Sequence, residues 1–188
     1  RVNDCPIDCL TNYNEIANLR LTTKVAVHSD MVLYNDDEPM EQKARHLYAT
    51  LFSVPQISMK LSSISAEDMK LIANYIQFTR KNLELIHFGK FSAHDYAHYY
   101  SYCESTLDND RLVVLYNKDS LFIGEYTNTN IINLTGSPNL ILELNSKYRY
   151  KMKVISYLGD IINKIDVFDK DFIKVEGPSF FVLNVERI

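Results

Sequence analysis

The sequence predicts an α/β region followed by an all-β region. Between residues 17 and 91, stretches of period-two apolar alternation take turns with stretches of helical spacing. That order of strand, helix, strand, helix implies a parallel sheet with helices packed outside it. From about residue 111 the helical period fades, and short apolar runs follow one another between turn-forming clusters. Those runs predict an antiparallel β-sandwich.

Taken in order, Leu19, Leu21, Thr23, Val25 and Val27 alternate and predict a strand that ends as Ser29-Asp30 arrives. Asp36 and Asp37 read as a helix cap, with Pro39 in the first turn and Met40, Ala44, Leu47, Tyr48 and Leu51 at helical spacing. Val54-Pro55 ends that helix, and Ile57, Met59 and Leu61 alternate as a second, shorter strand. Ser65 with Asp68 three residues on has the form of a capping box. It opens a helix whose apolar face runs through Met69, Ile72, Ala73, Ile76, Leu83 and Ile86. Residues 92–110 read as a linker between an N-terminal unit, 1–91, and a C-terminal unit, 111–188.

The strand candidates of the second unit are RLVVLYN, SLFIGEYT, NIINLT, NLILEL, YRYKMKVISY, FIKV and SFFVLNV, separated by Asn-Lys-Asp-Ser, Thr-Gly-Ser-Pro and Glu-Gly-Pro-Ser turns. Ile155, Leu158, Ile161, Ile162 and Ile165 also fit an amphipathic helix over 148–165. Tyr148, Tyr150, Met152 and Val154 alternate with basic or polar residues, which favours a strand through about Tyr157.

With 188 residues, 46% of them hydrophobic, the chain buries a core of one large or two small domains. The net charge of −4 and the scatter of Lys and Arg leave no basic face for nucleic acid or an anionic membrane. The longest apolar runs, such as Ser179 to Val185, fall far short of the roughly 20 residues that span a bilayer. Cys5, Cys9 and Cys103 cannot pair completely, and a Cys5–Cys9 bridge would close only a trivial loop, which favours a reducing compartment. Asn133-Leu134-Thr135 is a glycosylation sequon lying in an expected strand.

The run from "VHSDM" through "EQKARHLYATLFSVPQISMKLSSISAEDMKLIANYIQFTRKNLELIHFGKF" resembles the last part of the barrel in the α-galactosidase-like clan (clan D) of glycoside hydrolases. Ser29-Asp30 stands at the expected strand end, and Arg80, Ile86, Gly89 and Phe91 stand in the motif that follows the long helix. "NDCPIDC" resembles the family's Cys-containing stretch, with Cys5 in the Cys position, and "IKVEGPSFFVLNV" resembles its closing sandwich strand. Two positions depart from the pattern: Pro6, Ile7, Asp8 and Cys9 follow the cysteine in place of glycines, and His28 replaces the usual aromatic before Ser-Asp.

The resemblance implies the last βα units of a (β/α)8 (TIM) barrel followed by a β-sandwich. It also implies a retaining α-glycosidase that hydrolyses α-linked sugars without a cofactor. In such a barrel, catalytic groups sit at the C-terminal ends of the strands. A retaining enzyme needs two carboxylates, one to attack the anomeric carbon and one to protonate the leaving oxygen. By resemblance, Asp30 is the general acid/base and Asp4 and Cys5 contact substrate. The nucleophile belongs on an earlier strand outside this chain, which corresponds to about the last quarter to third of a barrel. The expected partners are a carbohydrate substrate and the remainder of the barrel or a partner chain.

Two other readings stand beside it. A noncatalytic α/β-plus-sandwich module would bind a partner or carbohydrate. "HDYAH", His94 to His98, has the spacing of the zinc motif H-E-x-x-H, with Asp95 for the Glu and Cys103 or Glu104 as further ligand. The tyrosines around it, Tyr96, Tyr99, Tyr100 and Tyr102, are expected to pack between the barrel and sandwich layers.

Overall fold

The computed structural model describes residues 8–23 and 25–188. It contains an N-terminal region that mixes helices and strands, followed by a larger β-rich region. Helix α1 (Cys9–Thr22) starts at Asp8, whose carboxylate accepts from the Thr11 backbone N–H at 2.9 Å and the Thr11 hydroxyl at 2.7 Å. Its buried residues Cys9, Tyr13, Ile16 and Ala17 recur at helical spacing. The strand expected over Leu19 to Val27 is therefore replaced by a helix through Thr22. Strand β1 (His28–Val32) begins only after it and carries Ser29-Asp30 inside rather than beyond its end.

Helix α2 (Met40–Ala49) is capped by Pro39, with no side-chain cap, so Asp36 and Asp37 lie in the preceding turn instead of serving as caps. Strand β2 (Val54–Ile57) pairs parallel to β1, with His28 opposite Val54 and Ser29 opposite Pro55. Helix α3 (Ala66–Lys81) opens on the expected capping box, in which Ser65 and Asp68 exchange hydrogen bonds. Its buried face is Asp68, Leu71, Ile72, Tyr75 and Thr79, while Met69, Ile76 and, beyond the helix end, Leu83 are exposed. Asn82 breaks the helix, and α4 (Leu83–Phe88) follows.

The β-rich region contains β3 (Lys90–His94), β4 (Tyr102–Leu107), β5 (Asp110–Leu115), β6 (Ser120–Phe122), β7 (Asn128–Asn133), β8 (Asn139–Glu143), β9 (Tyr150–Ile155), β10 (Ile161–Val167), β11 (Phe172–Glu176) and β12 (Phe181–Arg187). The stretch 92–110, expected as a linker, thus holds the end of β3 and all of β4. One sheet of seven strands runs in the order β10-β9-β12-β7-β5-β4-β3, and one of three strands in the order β11-β8-β6. Residues 148–165 form the β9–β10 hairpin rather than a helix.

The described residues form neither a closed barrel nor a clear antiparallel sandwich. β1 and β2 make a two-stranded sheet of their own, and the pairs β5–β7 and β6–β8 run parallel.

The seven-stranded sheet is covered on both faces. Leu112 and Val114 of β5, with Ile132 and Val182, pack against Tyr13, Leu47, Tyr48, Leu71, Tyr75 and Ile86 of the helices. Val113 and Leu115, with Ile131, Val154 and Leu183, pack against Leu121, Leu140, Leu142 and Val175 of the smaller sheet. A strand buried on both faces reads as an unbroken apolar run, which is the form of "LVVL".

Candidate functional site

Asp30 is the middle residue of β1, partly buried, and the regular register with β2 is lost between Ser29 and Val32. The next residue, Met31, adopts a left-handed backbone at φ 57°. A bulge with a left-handed non-glycine residue costs energy and re-aims the neighbouring side chain, and such features concentrate near functional sites. Asp4 and Cys5, the other two expected site residues, lie outside the described residues.

Beyond β1, the loop into α2 borders a cleft of about 540 Å³ lined by Asp8, Leu33, Tyr34, Asn35, Glu38, Gln42 and His46. Glu38 is its central acid: its Oε1 accepts from Asn35 at 3.0 Å, and His46 Nε2 stands 3.0 Å from its Oε2. Tyr34 stacks its ring against the Lys43 ammonium at 5.3 Å, and burial with the nearby Asp68 carboxylate pushes the Tyr34 phenol well up. The thiol of Cys9, which accepts from Gln42 at 3.6 Å, is pushed up to about 11 by burial, so it stays protonated and unreactive near neutrality.

A second cleft, of about 660 Å³, runs between α1 and the β3–β4 connection. Asp8 lines both clefts. A third groove exposes apolar surface along β2 and α4: Val25, Ala26, Val54, Leu83, Phe88 and Phe91 line it with Arg20 and His87. Burial, and then the charge of Arg20, lowers the His87 imidazole.

The two histidines of "HDYAH" are not on one helical face. His94 ends β3 and donates from Nε2 to Glu104 at 2.8 Å, with its ring stacked 4.2 Å from Tyr102. His98 closes a single 3-10 turn and bonds Asp95 at 2.8 Å. Left-handed residues at both ends of that turn, Asp95 and Tyr99, prevent a continuous helix. No group of three or more potential metal ligands occurs among the described residues.

Glu104 is instead the centre of a clamp. Its Oε2 accepts from Arg111 Nε at 2.6 Å, and Arg111 donates onward to the Phe122 carbonyl at 2.7 Å, tying β4 and β5 to the smaller sheet.

The remaining sequence motifs have structural roles. Cys103 is buried, with its thiol pushed up to about 12. Asn133 is fully buried and shapes the following turn through the Ser137 carbonyl at 2.8 Å and the Thr135 hydroxyl at 2.7 Å. Of the tyrosine cluster, Tyr100 is buried and Tyr102 partly so, whereas Tyr96 and Tyr99 are 76% and 65% exposed, not packed between layers.

Sequence reasoning singled out Asp30 but missed the cleft residues Asp8, Tyr34, Glu38 and His46. The signal lies in the short loop Asp36-Asp37-Glu38-Pro39, whose third acid, Glu38, stands directly before the proline that opens α2. The chain matches no protein-family model and no curated protein.

Proposed function

We propose that this chain is the C-terminal part of a retaining α-glycosidase acting on α-galactosides or related α-linked sugars, with Asp30 as the general acid/base. The observation that carries the reading is the position of Asp30, midway along the first strand of a β1-α2-β2 parallel unit, beside the bulge at Met31 and two residues before that strand's C-terminal end. Catalytic carboxylates in (β/α)8 enzymes are built at that end of the strands. In this reading β1 and β2 are the last strands of a barrel, and the β-rich region is the sandwich that follows it.

The reading also supplies an occupant for the apolar surface at β2. Val54 and Ser58 donate backbone N–H groups to the carbonyls of Val27 and Val32 on the β1 side, so by alternation Ile57 turns its N–H to the opposite edge, where Pro55 has no N–H to offer. β1 is the only strand that β2 pairs with among the described residues. Beside that edge, Val54, Ile57, Ile76 and Leu83 line a groove of about 310 Å³, and Met69, Ile76 and Leu83 repeat every seven residues on the outside of α3 and its continuation. A parallel strand with its own helix, supplied by further sequence of the same polypeptide or by a partner chain, fits that edge and stripe together. The nucleophile belongs to those units. A noncatalytic association module would use the same surface, and it is the second reading.

The test is hydrolysis by the source polypeptide together with any chain that accompanies it. Asp30→Asn is expected to lower the rate on natural α-galactosides by about 10²–10⁴-fold while sparing aryl galactosides with good leaving groups, which need little protonation. Equal loss on both substrates removes Asp30 from the acid role. Absence of hydrolysis with the surface at β2 covered favours the association module.

A further inference from the structure

We propose that the cleft between α1 and the β3–β4 connection is a binding site for a neutral oligosaccharide, separate from Asp30. Its volume of about 660 Å³ lies within the range of about 300–1,000 Å³ typical of small-ligand sites. One wall is α1, which presents Thr11, Asn14, Glu15 and Asn18; the other presents Tyr96, Tyr99 and Tyr100.

The tyrosine wall is built rather than incidental. Asp95, Tyr99 and Tyr100 all hold left-handed backbones, at φ 66°, 56° and 52°. Non-glycine residues adopt that region at a cost, so three within six residues require support from their surroundings. The support is visible. The Asp95 carboxylate accepts from His98 at 2.8 Å and from the Ser101 hydroxyl at 2.7 Å, and its carbonyl accepts the backbone N–H of His98 at 3.0 Å and of Tyr100 at 3.1 Å. Tyr100 is buried and donates its hydroxyl to Asn18 Oδ1 at 2.7 Å, which fixes the loop to α1. The consequence is that Tyr96 and Tyr99 are held out in solvent on a rigid support, with Tyr96 packed edge-on against Tyr100 at 5.5 Å. A preorganised loop loses little entropy when a ligand arrives.

The chemistry of the lining selects the ligand class. Among the described residues no Lys or Arg lines the cleft, so an anionic ligand finds no counter-charge there. The acids are engaged by the fold: both Asp8 oxygens accept from Thr11, which holds the carboxyl ionised, and Glu15 has a partner of its own, so a cation is the competing ligand class that the test must separate. The other polar groups of the lining are neutral. Asn14 offers an amide, Asn18 retains its NH2 donors because only its oxygen is taken by Tyr100, and two exposed aromatic faces stand opposite. Sugars present hydroxyls at the ring edge and C–H groups on the ring face, which pair with amides and aromatic faces respectively.

The test is titration of the protein with raffinose, maltotriose and cellotriose, followed by tyrosine fluorescence and calorimetry, with choline as the cationic control. Saturable binding of at least one saccharide is expected, weakened tenfold or more by Tyr96→Ala and by Tyr99→Ala, whose exposed side chains leave the melting temperature unchanged. Asn18→Asp, which removes the amide donors but keeps the oxygen that Tyr100 uses, is expected to weaken it as well. Asp30→Asn should bind as the parent does, so loss of hydrolysis and loss of this site remain distinct results. No saturable saccharide binding, binding insensitive to both tyrosine substitutions, or binding of choline alone would overturn the proposal.

Discussion

Lys43 and Asp68 place opposite charges 3.0 Å apart between α2 and α3, with side chains only 5% and 6% exposed. Burial alone would raise the Asp68 carboxyl. The hydrogen bonds from Ser65 and Lys43, with the Lys43 charge, outweigh it and hold the group below its ordinary value of 3.8. A carboxyl depressed in the folded state contributes stability that is fully present above its unfolded value and lost as pH falls through the folded one. Lys43→Met should therefore cost about 3–5 kcal/mol in urea unfolding at neutral pH, because it strands a buried charge. Because acid protonates the stranded Asp68 carboxylate, the deficit relative to the parent should shrink as pH falls. Adding Asp68→Asn to Lys43→Met should recover part of the loss, since the amide still caps α3 without the orphaned charge; a double variant no more stable than the single one would refute this account. The Ser65–Asp68 box was legible in the sequence because capping is local. The Lys43 partner was not, because it comes from another helix 25 residues away.

At the scale of elements, the misreadings share a cause. Leu19, Leu21 and Thr23 alternate by accident at the exposed end of α1, where the buried set Cys9, Tyr13, Ile16 and Ala17 sets the period. β10 escaped notice because six of its seven residues have no fully buried side, so no alternation marks it. Gly89 shows the reverse, a motif residue whose reason only the packing reveals. It follows α4 at the entry to β3, and a Cβ there would meet the Ser105 hydroxyl and stand 2.5 Å from the Leu85 carbonyl oxygen and 3.0 Å from that of Thr106. Two of these neighbours are backbone and cannot swing aside. Gly89→Ala should therefore destabilise by about 1–3 kcal/mol through overpacking, read as a lower denaturation midpoint. A neutral result would mean that α4 and β4 separate more easily than their contact implies. The candidate sites divide in the same way. Asp30 was visible as a carboxylate in an apolar strand, whereas the tyrosine cleft depends on a contact between Tyr100 and Asn18, 82 residues apart.

For the whole molecule, the helix-facing core decides whether the two regions behave as one. Tyr13, Leu47, Leu71 and Ile86 from the first region share a single apolar cluster with Leu112, Val114, Ile132 and Val182 from the second. Polar contacts cross the same boundary: Asn74 donates to the Tyr157 carbonyl at 2.9 Å, and Tyr157 donates to Glu67 at 3.1 Å. If either region unfolded alone, the other would expose its half of this cluster to water, at about 25 cal/mol for each Å² of apolar surface. One cooperative transition is therefore expected. Leu112→Ala tests it, because Leu112 is fully buried on the helix-facing side of β5 and its loss should cost about 2–5 kcal/mol. The helical signal in circular dichroism and hydrogen-exchange protection in β9 and β12 should fall together, at the same lowered denaturant midpoint. If the substitution shifted the strand signal and left the helical one in place, the shared cluster would not couple the regions, and each would have to be stable by itself.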